Sequence, residues 1–320
     1  MRFPTSLSSW CAATALLAGS ALAAASNERW SPSAQAPAQD VRPEIVRAES
    51  WPKLDAADKV KLDIERLRKA RTPEMGAQAR DALVAVGPGV APLLIAALGR
   101  EEDTDAQKRI VEVLEQVTAA EHTRLLAKEF VAKSPTVRKW ALRRAAQFLD
   151  TGIQKQAATA LERARKGVEQ KDGDKEELMR AALACASSGS LAGFDVLQAN
   201  AYDAWGKYGP DAYVALAGVR GPEATKLAAS ALKPTDQPKP NDPALKAADR
   251  ARVVGTLRLL AGCGDESVGS ILKPFLDSND NTVRIAAINA VRALLDHEPP
   301  LVDLPVFDAV EMAKKLKARL

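Results

Sequence analysis

Histidine, cysteine and aromatic residues are scarce in this sequence. Its 320 residues include two histidines, three cysteines and 4% aromatic side chains, whereas 47% are hydrophobic. His122 and His297 lie about 175 positions apart, each with a single glutamate beside it. In a stacked array of helices two such pairs would lie too far apart to share one metal ion, so we predict no metal site. Because β-sandwiches are rich in aromatic and β-branched residues, the composition favours helical layers of alanine and leucine.

Motifs of common enzyme classes are missing as well. The sequence has no C-x-x-C-H haem motif, no glycine-rich phosphate loop and no G-x-S-x-G nucleophile turn. The acidic run KDGDKEE at 171–177 lacks the ligand spacing of an EF-hand, and we interpret it as a polar turn. These absences predict a protein that is not an enzyme, without catalytic residues and without a cofactor.

The first 23 residues have the features of a secretory signal peptide. Arg2 precedes the uncharged apolar run CAATALLAGSALA, and Ala21-Leu22-Ala23 supplies the small residues that signal peptidase requires. We predict cleavage after Ala23 or two residues later, which implies a periplasmic or secreted protein; an uncleaved anchor is the alternative. No later segment has the roughly 20 apolar residues of a transmembrane helix, so we expect no membrane span there.

A leader separates this signal from the helical part of the chain. Residues 24–53 are rich in alanine, serine, proline and glutamine and show no sustained period, which predicts a disordered or extended segment. We expect its tryptophans, Trp30 and Trp51, to pack on their own protein. Helical patterning covers 54–320, except for a loop at 233–243 that contains four prolines.

The stretch DNTVRIAAINAVRALLD at 280–296 predicts an amphipathic helix. Asp280 precedes the apolar pattern, where its side chain is suited to cap the helix. The apolar residues recur at intervals of three and one, as on one face of a helix: Val283, Ala286, Ala287, Ala290, Val291, Leu294 and Leu295.

A second stretch, SPTVRKWALRRAAQFL at 134–149, repeats this pattern 146 positions earlier. Ser134 takes the place of Asp280, and Arg138 takes the place of Arg284. Self-similarity at such a distance indicates a repeat protein. The patterning predicts these helices and helix pairs: 54–70; 73–86 with 88–98; 104–118 with 120–132; 135–149 with 153–170; 175–187 with 190–204; 210–218 with 222–232; 244–262 with 266–277; and 281–296 with 305–319.

These hairpins resemble HEAT repeats, and most closely the HEAT-like class that also occurs in phycobilisome lyases. The resemblance covers most of 72–320 and is weakest at 205–232. It implies an all-α fold in which antiparallel helical hairpins stack into a right-handed α-solenoid over 54–320. It also implies that Asp280 and Arg284 belong to a polar ladder between successive repeats. The residues that carry it are Asp280, Val283, Arg284 and Ala287, their counterparts Ser134, Val137, Arg138 and Ala141, and the glycine-proline turn at 87–92.

The spacing of the repeats bears on Cys185 and Cys263, which remain after signal cleavage. In this register they lie two repeats apart, on the order of 20 Å, whereas a disulfide needs Cα atoms within about 7 Å. We therefore expect two buried free thiols.

Charge is unevenly distributed along the chain. Residues 124–171 hold twelve lysines or arginines and four acidic residues, whereas 265–311 hold nine acidic residues and three basic ones. A basic cluster steers an acidic partner, although long basic side chains also simply cover helix surfaces. The signal peptide argues against nucleic acid as that partner.

We accordingly predict an exported, non-catalytic scaffold that binds a protein with an acidic face in a bacterial envelope. The expected binding residues are those at which the stretch 134–149 departs from the later copy, together with Arg138: Arg138, Lys139, Trp140, Arg143 and Arg144. Two alternatives remain open. One is a tetrapyrrole-handling lyase or isomerase, which the resemblance to phycobilisome-lyase repeats implies, and the other is a purely structural spacer.

Overall fold

The computed structural model of the chain describes residues 45–203, 205–238, 245–298, 300–301 and 304–320. All regular elements in these ranges are α-helices or short 3-10 helices, and the ranges contain no β-strand. The described chain is therefore all-α, as its periodicity predicts. The predicted signal peptide, leader residues 24–44 and part of the proline-rich loop lie outside the described residues.

The described residues form fifteen α-helices. The first eight are α1 (Ala57–Arg68), α2 (Pro73–Val86), α3 (Ala91–Leu98), α4 (Thr104–Val117), α5 (Thr123–Lys128), α6 (Pro135–Ala146), α7 (Gln154–Glu169) and α8 (Lys175–Ser187). The other seven are α9 (Phe194–Asn200), α10 (Trp205–Leu216), α11 (Pro222–Ala229), α12 (Ala247–Cys263), α13 (Val268–Leu272), α14 (Asn281–Leu295) and α15 (Val306–Lys317).

Helices with a strong capping residue begin where the sequence predicts. The Thr72 hydroxyl accepts a hydrogen bond from the Met75 N–H at 3.3 Å ahead of α2, and the Asp174 carboxylate accepts one from the Glu176 N–H at 2.7 Å ahead of α8. Asp280 caps α14 in the same way, through the Thr282 N–H at 3.0 Å. These bonds satisfy first-turn donors that have no partner within the helix.

Helix α10 differs from the prediction. The prediction places its start at 210 because Gly206, Gly209 and Pro210 disfavour a helix, yet α10 begins at Trp205 and contains Pro210. A proline inside a helix removes one backbone hydrogen bond. Packing of α10 against both α8 and α12 offsets that loss, so tertiary contacts outweigh local propensity here.

Two sets of helices alternate along the chain. In the first set α6 packs on α8, α8 on α10, α10 on α12 and α12 on α14, and the last helix, α15, packs on α14. The second set lies beside the first, with α7 on α8, α9 on α8 and α11 on α12. Short 3-10 helices at 88–90, 120–122, 151–153 and 191–193 lead into α3, α5, α7 and α9. One hydrophobic cluster runs from Val60 on α1 to Leu316 on α15.

Helix α8 lies deep in this cluster, and all residues from 181 to 188 are buried. A Cβ atom added at Gly193 would lie 2.7 Å from the Ala182 Cα, so only glycine allows this approach of the α9 segment to α8. Cys185 on α8 and Cys263 at the end of α12 are both buried and free, as predicted. Burial raises the pKa of each thiol to about 12.

Asp280 connects α14 to α12. Besides capping α14, its carboxylate accepts a hydrogen bond from the Arg250 guanidinium on α12. The Arg284 guanidinium remains within its own repeat, where it donates to the Ser278 carbonyl at 2.5 Å and to the Asn281 side chain at 3.2 Å. Asp280 therefore contacts the preceding helix of the first set, whereas these contacts of Arg284 brace the start of α14.

Arginines also complete the C-terminal ends of other helices. Arg109 on α4 donates to the carbonyl groups of Leu67 and Arg68 at the end of α1, at 2.8 and 2.7 Å. Arg258 on α12 donates to the Tyr202 carbonyl, which follows α9, at 3.0 Å. The last carbonyls of a helix have no partner within it, and a cationic donor also favours the negative end of the helix dipole.

Residues 45–53, the described end of the predicted leader, form an irregular segment that we call the strap. The Arg47 guanidinium donates to the buried Asp150 carboxylate at 2.8 Å, and the Ala48 N–H donates to the Glu121 carbonyl at 2.9 Å. The Trp51 ring stacks on His122, with centroids 5.0 Å apart. Trp51 thus packs on its own protein, as predicted, and the strap is held against the segment that contains α5.

Candidate functional site

Two of the five predicted binding residues form ion pairs between α6 and α8. The Arg138 guanidinium donates two hydrogen bonds to the Glu177 carboxylate, both at 2.8 Å. The Lys139 ammonium donates to Asp174 at 2.8 Å. Glu177 is only 5% exposed and also accepts from Arg163 at 2.7 Å. Burial acts to raise the pKa of Glu177, but these hydrogen bonds outweigh it and lower the pKa.

Arg143 and Arg144 pack against the end of α4. Arg143 forms an ion pair with Glu115. The Arg144 guanidinium donates to the carbonyl groups of Glu115 and Thr118 and lies 4.7 Å from the centre of the Phe148 ring. Arg144 therefore caps α4 in the same way that Arg109 caps α1. A partner that recruited Arg144 would have to replace these contacts.

Trp140 is buried. Its side chain belongs to the hydrophobic cluster and is 4% exposed, so it offers a partner almost no surface. Its Nε1–H has no hydrogen-bond partner among the described residues. Leaving such a donor unsatisfied costs about 1–3 kcal/mol. This exception to the normal pairing of buried polar groups calls for an explanation.

A cavity of about 210 Å³ brings three of the five predicted residues together. We call it the α6 cavity. Lys139, Trp140 and Arg143 line it from α6, Gln107 from α4, and both Glu176 and Arg180 from α8. Because Thr136, Trp140 and Arg143 follow at intervals of four and three, they share one face of α6. Arg138 and Arg144 are absent from its lining.

A larger groove of about 720 Å³ lies between α3, the strap and the chain from α5 to α6. We call it the strap groove. Its lining is predominantly apolar and includes the side chains of Pro92, Ile95, Ala96, Leu125 and Val137. Clefts of this size and character commonly bind ligands or partner segments. Because the strap supplies Glu49, Ser50 and Trp51, one wall of the groove comes from the predicted leader.

Three cations surround the strap groove. Arg100, Lys128 and Lys133 line it, and their side chains make no hydrogen bond or ion pair to any described residue. Lys128 and Lys133 belong to the basic stretch 124–171. Much of the rest of that stretch is neutralised within the fold, because Arg138, Lys139 and Arg163 pair with acidic residues of α8 and its cap. Lys128 and Lys133 are thus unpaired among the described residues and lie at the strap groove, whereas the basic side chains of α6 are engaged in ion pairs or hydrogen bonds.

Glu129 also lines the strap groove, and sequence reasoning missed it. Its half-buried carboxylate has no hydrogen-bond or ionic partner among the described residues, and burial raises its pKa. Perturbed, unpaired ionisable groups in clefts are markers of binding or catalytic sites. No sequence motif surrounds Glu129. The only available signal was its place inside the basic stretch, where it is one of four acidic residues.

His122 supports the wall of the strap groove. It is 5% exposed rather than solvent-exposed as a loop histidine would be, because the Trp51 ring covers one of its faces. Its Nδ1 accepts a hydrogen bond from the Ala119 N–H at 3.1 Å. Burial lowers the pKa of His122, against a smaller opposing effect of Glu121. Neutral His122 therefore helps to hold Trp51, and with it the strap, in place.

In the described ranges no group of three or more histidine, cysteine, aspartate or glutamate side chains is arranged to hold a metal ion. Among the same residues no single helix is long and apolar enough to cross a membrane. Only Pro73–Val86 taken together with Pro88–Leu98 has the required length and composition, and this pair is bent by 108°.

No family model matches the chain, no curated protein is similar to it, and no solved structure matches its fold.

Proposed function

We propose that the chain is an exported, non-catalytic scaffold that binds a segment of another envelope protein in the strap groove. The observation that carries this proposal is the predominantly apolar groove bordered by three cations that have no partner among the described residues, Arg100, Lys128 and Lys133. The segment that fits has one large apolar side chain with carboxylates beside it. The apolar side chain is removed from water, and the carboxylates meet the free cations.

Glu129 adds direction to this recognition. Its carboxylate has no partner among the described residues and is suited to receive a backbone N–H or a cationic side chain of the bound segment. We place binding in this groove rather than on the exposed side of α6, because Arg138 and Arg144 are already engaged in joining helices.

We also propose that the helix pairs form a right-handed α-solenoid of HEAT-like repeats. Successive contacts from α6 through α14, and the 3-10 entry to many helices of the second set, support this arrangement. Neighbouring helix axes lie about 8–10 Å apart, so five steps from α4 to α14 predict roughly 45 Å in a linear stack. Pulsed dipolar spectroscopy measures this distance between spin labels attached at Lys108→Cys on α4 and Thr282→Cys on α14. A distance near 20 Å would instead indicate a compact bundle.

Export is the third part of the proposal. Arg2, the apolar run and Ala21-Leu22-Ala23 support it, and cleavage after Ala23 or two residues later gives a mature periplasmic or secreted protein. N-terminal sequencing of the protein recovered from the envelope fraction tests this directly. Retention of Met1 on the recovered protein would contradict cleavage.

Crosslinked capture from envelope extract tests the groove. We expect Lys128→Glu with Lys133→Glu to abolish capture of the partner that the unmodified protein retains, because the reversed charges repel its carboxylates. The matched control is Lys155→Glu with Lys171→Glu, which makes the same change at exposed positions of the basic stretch outside the groove. Equal loss in both variants would reveal general charge attraction, and no loss in either would refute the groove.

A second pair of variants tests the apolar part of the groove without altering charge. Ala96→Trp introduces an indole at an exposed position that lines the groove, and we expect it to prevent capture by occupying the groove. Ala85→Trp adds the same ring at an exposed position of α2 outside the groove and is expected to leave capture intact. A structural spacer would bind no partner at all, with or without these changes.

A further inference from the structure

The α6 cavity combines a desolvated hydrogen-bond donor with cations from two helices. Trp140 Nε1–H is buried and unpaired among the described residues, and the side chain that carries it lines the cavity. An indole N–H is a donor only, so a partner for it has to be an acceptor from outside the described residues. Arg143 and Lys139 line the same cavity from α6, and Arg180 does so from α8.

The charges around the cavity select the kind of acceptor. Burial, followed by repulsion from Arg180, lowers the pKa of Arg143, so negative charge placed beside Arg143 is favourable. Each cation already has one acidic neighbour: Arg143 pairs with Glu115, Lys139 with Asp174 and Arg180 with Glu176. A phosphate with nearly two charges would meet these acidic groups as well. A singly charged carboxylate meets less repulsion and still accepts from a guanidinium.

The size of the cavity agrees with such a ligand. About 210 Å³ is roughly seven times the 30 Å³ that one water molecule occupies in the liquid. This volume accommodates a carboxymethyl or carboxyethyl group. Two oxygen atoms allow one carboxylate to accept from the indole N–H and from a guanidinium at the same time.

We propose that the α6 cavity is a binding site for a carboxylate group, in which Trp140 Nε1–H and Arg143 are the donors. The aspartate or glutamate side chain of a protein partner and a free carboxylic acid share this chemistry. The site itself does not depend on the strap groove. Only the identification of its ligand as a partner's acidic side chain rests on the proposed function.

The indole N–H resonance of Trp140 reports occupancy directly in ¹H–¹⁵N NMR spectra of the mature protein. Trp140→Phe identifies that resonance by its disappearance. We expect sodium acetate to move the Trp140 resonance downfield and to saturate, while sodium chloride at equal ionic strength leaves it unchanged. Arg143→Gln should weaken the apparent acetate affinity at least fivefold, whereas Lys155→Gln, an exposed change on α7, should not alter it.

Several outcomes decide the proposal. A resonance that does not move, or that moves equally with chloride, overturns it, as does an Arg143→Gln protein that remains folded by circular dichroism and binds acetate as the unmodified protein does. Tighter binding of an acetylated, amidated glutamate peptide than of acetate identifies a protein side chain as the ligand, and the reverse order identifies a small acid. If the unmodified protein does not bind acetate but still captures its partner through the strap groove, this site is rejected and the proposed function remains supported.

Discussion

Arg138 and Glu177 form a two-bond ion pair, with both nitrogen–oxygen distances at 2.8 Å, that joins α6 to α8. The Glu177 side chain is 6% exposed and the Arg138 side chain 18% exposed. With this geometry and burial the pair holds α6 against α8, a structural role that the sequence did not predict for Arg138. Removing one partner of such a pair leaves the other charge buried.

We therefore expect Arg138→Ala to lower the free energy of unfolding by about 3 kcal/mol. Arg163 continues to donate to Glu177 and limits the loss. Urea unfolding followed by circular dichroism measures the change. Lys155→Ala, at an exposed position without an ion pair among the described residues, serves as control and should change stability by less than about 0.5 kcal/mol. Equal effects in the two variants would show that the pair contributes nothing.

Asp280 is expected to contribute more than a capping bond. Asp280→Ala removes both the bond to the Thr282 N–H and the contact with Arg250, and should cost about 2 kcal/mol of unfolding free energy. Asp280→Asn keeps a capping oxygen and should cost about half as much. Ser134→Ala is the matched control, because Ser134 makes no capping hydrogen bond, and its effect should stay within about 0.5 kcal/mol. Denaturant unfolding of the three variants gives the comparison.

The lowered pKa of His122 predicts a pH dependence of stability. Burial disfavours the protonated imidazole in the folded state, so the unfolded chain binds more protons at His122. The resulting stabilisation is complete above the unfolded pKa of about 6.5. It is lost as the pH falls through the pKa of His122 in the folded protein. Urea unfolding should show stability declining below about pH 6.5 in the unmodified protein. His122→Gln, which cannot titrate, should show a flatter profile over that range. Parallel profiles would remove His122 as the cause.

Acidic residues near the strap also contribute to the pH dependence of stability. The comparison with His122→Gln separates the contribution of His122 from theirs. Asp150 has a lowered pKa: burial opposes the change, and hydrogen bonds from Thr123, Gly152 and Arg47 outweigh it. Its stabilisation is lost only at lower pH, as the pH falls through the folded pKa of this group. Glu129 has a raised pKa, so its contribution has the opposite sign and favours the folded state as the pH falls.

The two buried cysteines should resist thiol reagents. The thiolate is the reactive form, and burial raises the pKa of Cys185 and of Cys263 to about 12. In protein produced without residues 1–23, and hence without Cys11, we expect Ellman's reagent to detect no thiol in the native state and two per chain in guanidinium chloride. A reducing agent should leave the melting temperature unchanged, since no disulfide links them. A single fast-reacting thiol in the native protein would contradict their burial.

Local signals predicted the helices well where caps and periodicity agree. Thr72 with Pro73, and Asp174 before Lys175, mark helix starts that the structure reproduces. Local signals failed at Pro210, because contacts of α10 with helices far along the chain decide that segment. Many such local patterns predict helices, so the prediction of an all-α fold holds although the start of α10 was predicted wrongly.

The site was harder to predict because charge pairing is not local in sequence. Residues 124–171 have an excess of cations, but the acidic partners of Arg138, Lys139 and Arg163 begin three residues beyond that stretch, at Asp174. The strap groove needs Trp51 beside α5 and α6, more than seventy positions away. A short window of the sequence shows neither these ion pairs nor the position of Trp51. The burial of Trp140 is likewise predictable only when the positions of the neighbouring helices are known.

The arginines that complete helix ends lie far along the chain from the carbonyl groups that they bind. Arg109 follows the Leu67 carbonyl it satisfies by 42 positions, Arg144 follows that of Thr118 by 26, and Arg258 follows that of Tyr202 by 56. Until that length has been synthesised, the carbonyl groups at the end of the earlier helix lack their arginine donor. An N-terminal fragment that ends before the next of these arginines therefore lacks the side chain that completes the C-terminal end of its last helix.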